Sequence, residues 1–282
     1  MLVLKISFEN PQNWNYDQHI LQWIFHRLID DKYHWFEIWL FTFSNIYPYE
    51  KGSFYRNDKI YEIKVKSVSD AILKQIGLKL MELKKVDFNH KNIIFIKKAF
   101  FVEDILPCEG KILKWITPIV LSLNREIAYK YNIKFTLKKD VPLYWNKNMW
   151  FKVFVRQFHK NIIKKYIVFL ESLIWGRISL EELSPQIRFL FNNLEDWEKN
   201  LLNLFKDKEN FDNFIENVNF FDGYKFKRGA LVPYKGWKIA GSVWDFKVTN
   251  KNDDTIDIFK ILKTISLMGF WEKTTAWFGF MM

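Results

Sequence analysis

The chain has one cysteine, Cys108, in 282 residues, so no disulfide can form within it and a reducing compartment is expected. The expected role of that thiol is a small, buried apolar group. No stretch approaches the ~20 consecutive apolar residues that a membrane span needs. The N-terminus runs straight into an alternating pattern, and no signal peptide is expected. A soluble cytoplasmic protein that engages no membrane follows from these absences. Histidines, cysteines and carboxylates do not recur at metal-ligand spacings, so no metal and no other cofactor is expected.

What is present is apolar bulk and positive charge. Apolar residues make up 49% and aromatics 19%, enough to bury a proper core and to exclude general disorder. The formal net charge is +11, which makes polyanions the natural partners. The charge is uneven. Eleven Lys/Arg between Arg125 and Lys165 face only Glu126 and Asp140, a local net of +9. Ten acids against four bases between Glu181 and Asp222 give −6, so the rest of the chain carries +17. With 13 Trp and 12 Tyr interleaved, nucleic acid is favoured over a membrane surface.

Hydrophobic periodicity predicts the elements. Leu2, Leu4, Ile6 and Phe8 alternate with Val3, Lys5, Ser7 and Glu9, a half-buried strand. From Asp17 a helix follows, with Ile20, Leu21, Ile24, Phe25, Leu28 and Ile29 on one stripe. Strands are expected over 37–46 and 59–68, a helix over 71–83 capped by Ser69 or Asp70, and a strand over 92–101. This β-α-β-β-α-β order is the ferredoxin-like split βαβ unit, which RNA-recognition sheets share.

The second half repeats the order: a strand over 116–123, a long helix over 151–175, a hairpin of 224–232 with 237–248, a helix over 255–268 and an aromatic final strand. The reading is α+β, two tandem ferredoxin-like domains over 1–107 and 110–282, with an acidic helical insertion over about 177–222. Because the insertion would repel RNA, it is expected on a far face or at a protein contact. Most Trp and Phe residues are assigned to core.

The last fifteen residues, from Met268, hold Gly269, then Lys273, Thr274 and Thr275 in a short turn, then Phe278-Gly279. Backbone amides in such a turn, beside a lysine and two hydroxyls, suit a phosphate. The tail resembles the glycine-rich signature that closes the CRISPR-associated endoribonucleases that cut precursor repeat RNA, members of the repeat-associated (RAMP) superfamily. Trp271 and Trp277 stand where two of that family's glycines would be. Four further segments resemble the family in order along the chain: Phe41-Thr42-Phe43-Ser44, Thr117-Pro118-Ile119-Val120, Asn161-Ile162-Ile163-Lys164-Lys165-Tyr166, and Lys235 through Gly241.

The resemblance implies tandem ferredoxin-like domains and metal-independent cleavage within repeat RNA, with 2′,3′-cyclic phosphate and 5′-hydroxyl products. The cleaved guide would pass to an effector complex for antiviral defence. It implies repeat RNA and effector-complex proteins as partners, for a monomer or a homodimer.

His34, in the loop before Phe41–Ser44, matches the position of the family's catalytic histidine. His26 is the second candidate, Lys32 would supply charge, and Tyr33 would replace a helix tyrosine, since the nearest helix position is Phe25. Trp39 and Leu40 occupy the place of a family lysine. Histidine suits proton transfer near neutrality, and a cation suits the crowded phosphate. His19 reads as a solvated helix residue, and His90 and His159 as surface or phosphate-contact residues.

Arg156, Lys160, Lys164 and Lys165, at helical spacing, form either a solvated face or a track for RNA phosphates. Lys227, Arg228, Lys235 and Lys238 on the second hairpin would contact an RNA stem. Two other readings stay open. One is a catalytically silent RNA-holding subunit of an effector complex. The other is a general RNA-binding protein, against which stands the lack of a Lys/Arg-Gly-Phe-Gly-Phe-type motif.

Overall fold

The structure of the protein, a computed structural model, describes residues 1–9, 19–30, 40–44, 46–48, 55–88, 92–104, 106–108, 110–114, 119–123, 125–133, 143–234, 237–249 and 256–269. The first half runs β1 (Leu2–Glu9), α1 (His19–Leu28), β2 (Phe41–Phe43), β3 (Tyr61–Ser67), α2 (Asp70–Leu83), β4 (Lys85–Phe88) and β5 (Asn92–Phe101). Its antiparallel sheet has the order β2-β3-β1-β5-β4. Without β4 that is the ferredoxin-like order, with the first strand central and the last beside it.

The strand β4 was not expected. Ser69 caps α2 as predicted, its hydroxyl accepting from the Ile72 amide. At the other end Lys84 takes a left-handed φ of 55°, which turns the chain back at once and lets Lys85–Phe88 pair with β5.

Leu2, Leu4, Ile6 and Phe8 pack under the helices, where Leu2 lies 3.6 Å from the Cβ position of Gly77 on α2. The stripe Leu21, Ile24, Phe25, Leu28 and Ile29 of α1 is buried as periodicity requires. Contrary to expectation, β1 is not simply half-buried. Val3 and Ser7, on the opposite face, are also buried. On the neighbouring strands β2 and β3, the last helix of the second half packs against the sheet.

That half contains β6 (Ile112–Lys114), β7 (Ser122–Leu123), α3 (Arg125–Lys130), β8 (Leu143–Tyr144), α4 (Phe151–Ile174), α5 (Pro185–Arg188), α6 (Asp196–Phe205), α7 (Lys208–Asn217), β9 (Phe221–Tyr234), β10 (Trp237–Val248) and α8 (Ile258–Met268). Its main sheet has the order β6-β10-β9. The expected strand over 116–123 is corrected. Pairing with β10 begins earlier, at Ile112–Lys114, and resumes in the two backbone hydrogen bonds between Ile119 and Ser242. Ser122 and Leu123 leave that line to pair with β8.

The hairpin and both long helices form within a few residues of the predicted bounds. Asp257 caps α8 by accepting from the Lys260 amide. A stack of rings including Phe154, Phe158, Trp244 and Phe246 fills the space between α4 and the hairpin. Trp150, Trp175 and Phe189 are exposed. Cys108 is exposed as well, not a buried apolar group.

Candidate RNA interface

Two segments expected to carry chemistry spring from one junction. Residues 31–39, with Lys32, Tyr33 and His34, lead directly into Leu40 and β2. The terminal turn, with Lys273, Thr274 and Thr275, follows Gly269. All six of these residues lie outside the described ones. Their anchor points touch. A Cβ placed on Gly269 would lie 2.7 Å from the hydroxyl oxygen of Thr42, and Gly269 has a φ of 79°. Glycine is therefore required at this helix end both by backbone conformation and by space.

The third member of the junction is Lys165. Its ammonium donates to the Gly269 carbonyl at 2.8 Å, and burial pulls its pKa down to about 7. Thr42 lies in register with Lys66, itself buried and paired with Asp104 at 2.8 Å. Burial lowers the Lys66 pKa, and Asp104 opposes that shift. The second half of the chain is thereby seated on the open face of the first sheet.

His26 is half-buried in the last turn of α1. Its neighbour Phe25 is core, with ring centroids 4.8 Å from Phe43 and 6.4 Å from Phe41. His19 begins α1, and His90 lies outside the described residues.

The basic helix α4 does not form a solvated track. Arg156 and Lys165 are buried, Lys160 is largely covered and Lys164 is half-buried. The acidic insertion is the reason. Arg156 meets Glu216 at 2.6 Å and Asp212 at 3.2 Å, and Lys160 pairs with the same Asp212. Burial works against ionisation of both acids, but the facing cations outweigh it and hold both carboxyls below their ordinary range. Lys130 adds to Glu216 at 3.1 Å, and Lys208 reaches back to Glu126. The four-residue spacing of Asp212 and Glu216 matches that of Arg156 and Lys160. That complementarity was visible in the sequence and went unused.

A second clip joins the insertion to α8. Lys260, buried, binds Glu195 and Glu198 at 2.9 Å each beneath the rings of Phe191 and Trp197. Tyr166 of α4 donates to the same Glu198 at 2.5 Å.

His159 is likewise not at the surface. Its Nδ1 donates to the Val218 carbonyl at 2.8 Å, so Nε2 accepts from the Tyr224 hydroxyl at 3.0 Å. Burial drives its pKa down to about 4 and keeps it neutral.

On β9 the cations Lys225, Lys227 and Arg228 are exposed. Lys227 is held by Asp245 of the paired strand at 3.0 Å. Lys235 and the side chain of Lys238 fall outside the described part. Among the described residues no three His, Cys, Asp or Glu are grouped to hold a metal ion, and no helix is long and apolar enough to cross a membrane.

No known protein-family pattern matches the chain, and no curated protein does. Solved structures do. A CRISPR-associated protein Cas6 superposes with a TM-score of 0.58 at 17% identity, over 100% of this chain and 97% of that one. A RAMP protein binding different RNA substrates gives 0.57 at 13%, over 99% and 97%. A Cas6-related protein from Pyrococcus furiosus gives 0.54 at 14%, over 100% and 97%. The chain therefore has, along its whole length, the tandem ferredoxin-like fold that it shares with Cas6 and RAMP proteins.

Proposed function

We propose that this protein binds CRISPR repeat RNA and cleaves it, generating guide RNA by attack of a 2′-hydroxyl on the adjacent phosphate. The observation that carries the reading is the Thr42–Gly269–Lys165 junction on a fold shared with Cas6 and RAMP proteins. It ties the root of the His34 segment to the root of the Lys273 turn. In this reading both segments serve one RNA strand, His34 for proton transfer and Lys273 for the phosphate.

In this reading His34 takes or gives the proton, with His26 the reserve candidate. Lys32, Lys273 and the amides of the turn steady the phosphate charge, Tyr33 is a further proton donor, and Thr274 and Thr275 offer hydroxyls. The reaction needs no metal. Lys227, Arg228, Lys235 and Lys238 hold the stem of the repeat. Lys165, buried and bonded to the Gly269 carbonyl, does not touch RNA. The domain division at 107–110 and a cytoplasmic location belong to the same reading.

A second reading is a silent RNA-holding subunit of an effector complex. It is favoured by Phe25, a core ring with no proton to give.

Incubation with the repeat RNA of its own organism in EDTA, followed by analysis of the product ends, tests the proposal. One cut leaving a cyclic phosphate, lost in His34→Ala, is expected. Selective binding without a cut would move the assignment to the silent subunit. A His34→Ala variant that cuts at the wild-type rate would remove His34 from the chemistry.

A further inference from the structure

The strand β4 ends the first sheet, and among the described residues no strand pairs with its outer side. The Lys84 carbonyl accepts from the Ile96 amide at 2.8 Å, which fixes the alternation along the strand. Val86 and Phe88 direct their main-chain groups to β5, and Lys85 and Asp87 direct theirs outward. The side chains of Lys85 and Asp87 are exposed.

Beside this edge runs α2. Its inner side is core, and on one flank Gln75 and Lys79 bond Asp30, just past α1. Its outer side carries Lys74, Leu78 and Glu82 at four-residue spacing, with Met81 on the flank away from α1. All four are exposed, Leu78 by 65% and Met81 by 43%. The chain reverses at Lys84. From there Leu78 lies about 9 Å back along the helix and Val86 about 7 Å on along the strand, so the two stand nearly level.

We infer that this edge is the interface of a homodimer. A second copy adds its own β4 antiparallel about a two-fold axis at Val86, while α2 meets its copy at Leu78. Strand and helix carry the same self-complementary order of cation, apolar residue and acid: Lys85, Val86 and Asp87 on one, Lys74, Leu78 and Glu82 on the other. A two-fold axis through the apolar residue sets each cation against the acid of the copy. Because Val86 and Leu78 stand nearly level, one axis serves both layers. Lys85 and Asp87 of the copy then form a hydrogen-bonded pair with two main-chain bonds, and the axis repeats it.

Edge lysines ordinarily keep strands apart. Here this chain's own order supplies the acid that offsets each lysine, and an unrelated strand would not. Slipping the pairing by two residues sets lysine against lysine or aspartate against aspartate, so the register is specified. The inference does not depend on the RNA reading.

Sedimentation equilibrium of the full-length protein, freed of nucleic acid, tests it. A mass of twice 34.4 kDa is expected at micromolar concentration. Lys85→Asp gives a strand with two acids, and Asp87→Lys a strand with two lysines. Each alone should weaken dimerisation at least tenfold, because like charges then face each other across the axis. Mixing the two variants should restore a dimer of one chain of each, which misfolded chains could not form. Leu78→Gln with Met81→Gln should weaken the dimer separately.

A monomeric wild type overturns the inference. So does a dimer that both charge reversals leave intact, since its contact lies elsewhere. A mixture of the two variants that stays monomeric overturns it as well.

Discussion

Gly269 meets two demands at once, a left-handed backbone and the absence of a Cβ against Thr42. Gly269→Ala should therefore cost more than the ~1 kcal/mol of an ordinary left-handed alanine, because the methyl group also has to displace the threonine. A lowered melting temperature together with lost repeat cleavage is expected. Adding Thr42→Ser, which removes only a methyl group and keeps the clashing oxygen, should not rescue either.

The amine of Lys165 gives the same junction a pH dependence. Unfolded, it titrates near its ordinary ~10.4; folded, at about 7. Between those values the unfolded chain holds the extra proton, so stability rises with pH across that window. Below pH 7 the fold carries the whole cost of a buried ammonium. Melts from pH 6 to 10 should show wild-type stability climbing by up to about 1.4 kcal/mol per unit relative to Lys165→Met. Parallel profiles would show that the amine is hydrated.

At the scale of elements, α4 and the insertion make one unit, and the distribution of charge decides what each cation does. Asp212→Asn with Glu216→Gln strips a buried Arg156 of its partners and should cost about 3–5 kcal/mol, read by denaturant unfolding. Lys227→Ala with Arg228→Ala, on an exposed strand, should leave stability within about 0.5 kcal/mol and weaken repeat RNA binding with a shallower salt slope. The opposite outcome, with RNA affinity tracking Arg156, would return α4 to the RNA interface.

These elements also show what was legible in the sequence. The periods of β1, α1, α2, the hairpin and α8 were enough to give the fold, because each buries a face set by its own repeat. The fate of the basic stripe on α4 was not legible by period alone. Its neutralising acids sit some fifty to sixty residues away, and only packing joins them. His159 was misread for a related reason. Spacing on a helix assigns a face but does not say which faces meet solvent, and α4 is packed by the hairpin's rings, by α6 and α7, and by α8. Among the site candidates, Gly269 was legible as a turn residue, whereas Thr42 as its contact was not.

Across the whole molecule, one continuous apolar core runs through both sheets. The helix α8 packs against α4 on one side and against β2 and β3 on the other, and the insertion reaches the first half through the Ser184 amide, which donates to the Val68 carbonyl at 2.8 Å. A chain built this way should unfold as a unit even though it is read as two ferredoxin-like domains. Ile265, fully buried on α8, tests the point. Ile265→Ala should cost about 2–5 kcal/mol and lower a single calorimetric transition without splitting it. Native-state hydrogen exchange should then speed up at amides of β2 and β3 as well as at those of α4, because the cavity lies in the helix that packs against all three. If protection falls in the second half alone, the halves are energetically separate. The Thr42–Gly269 contact would then be a docking contact that can open.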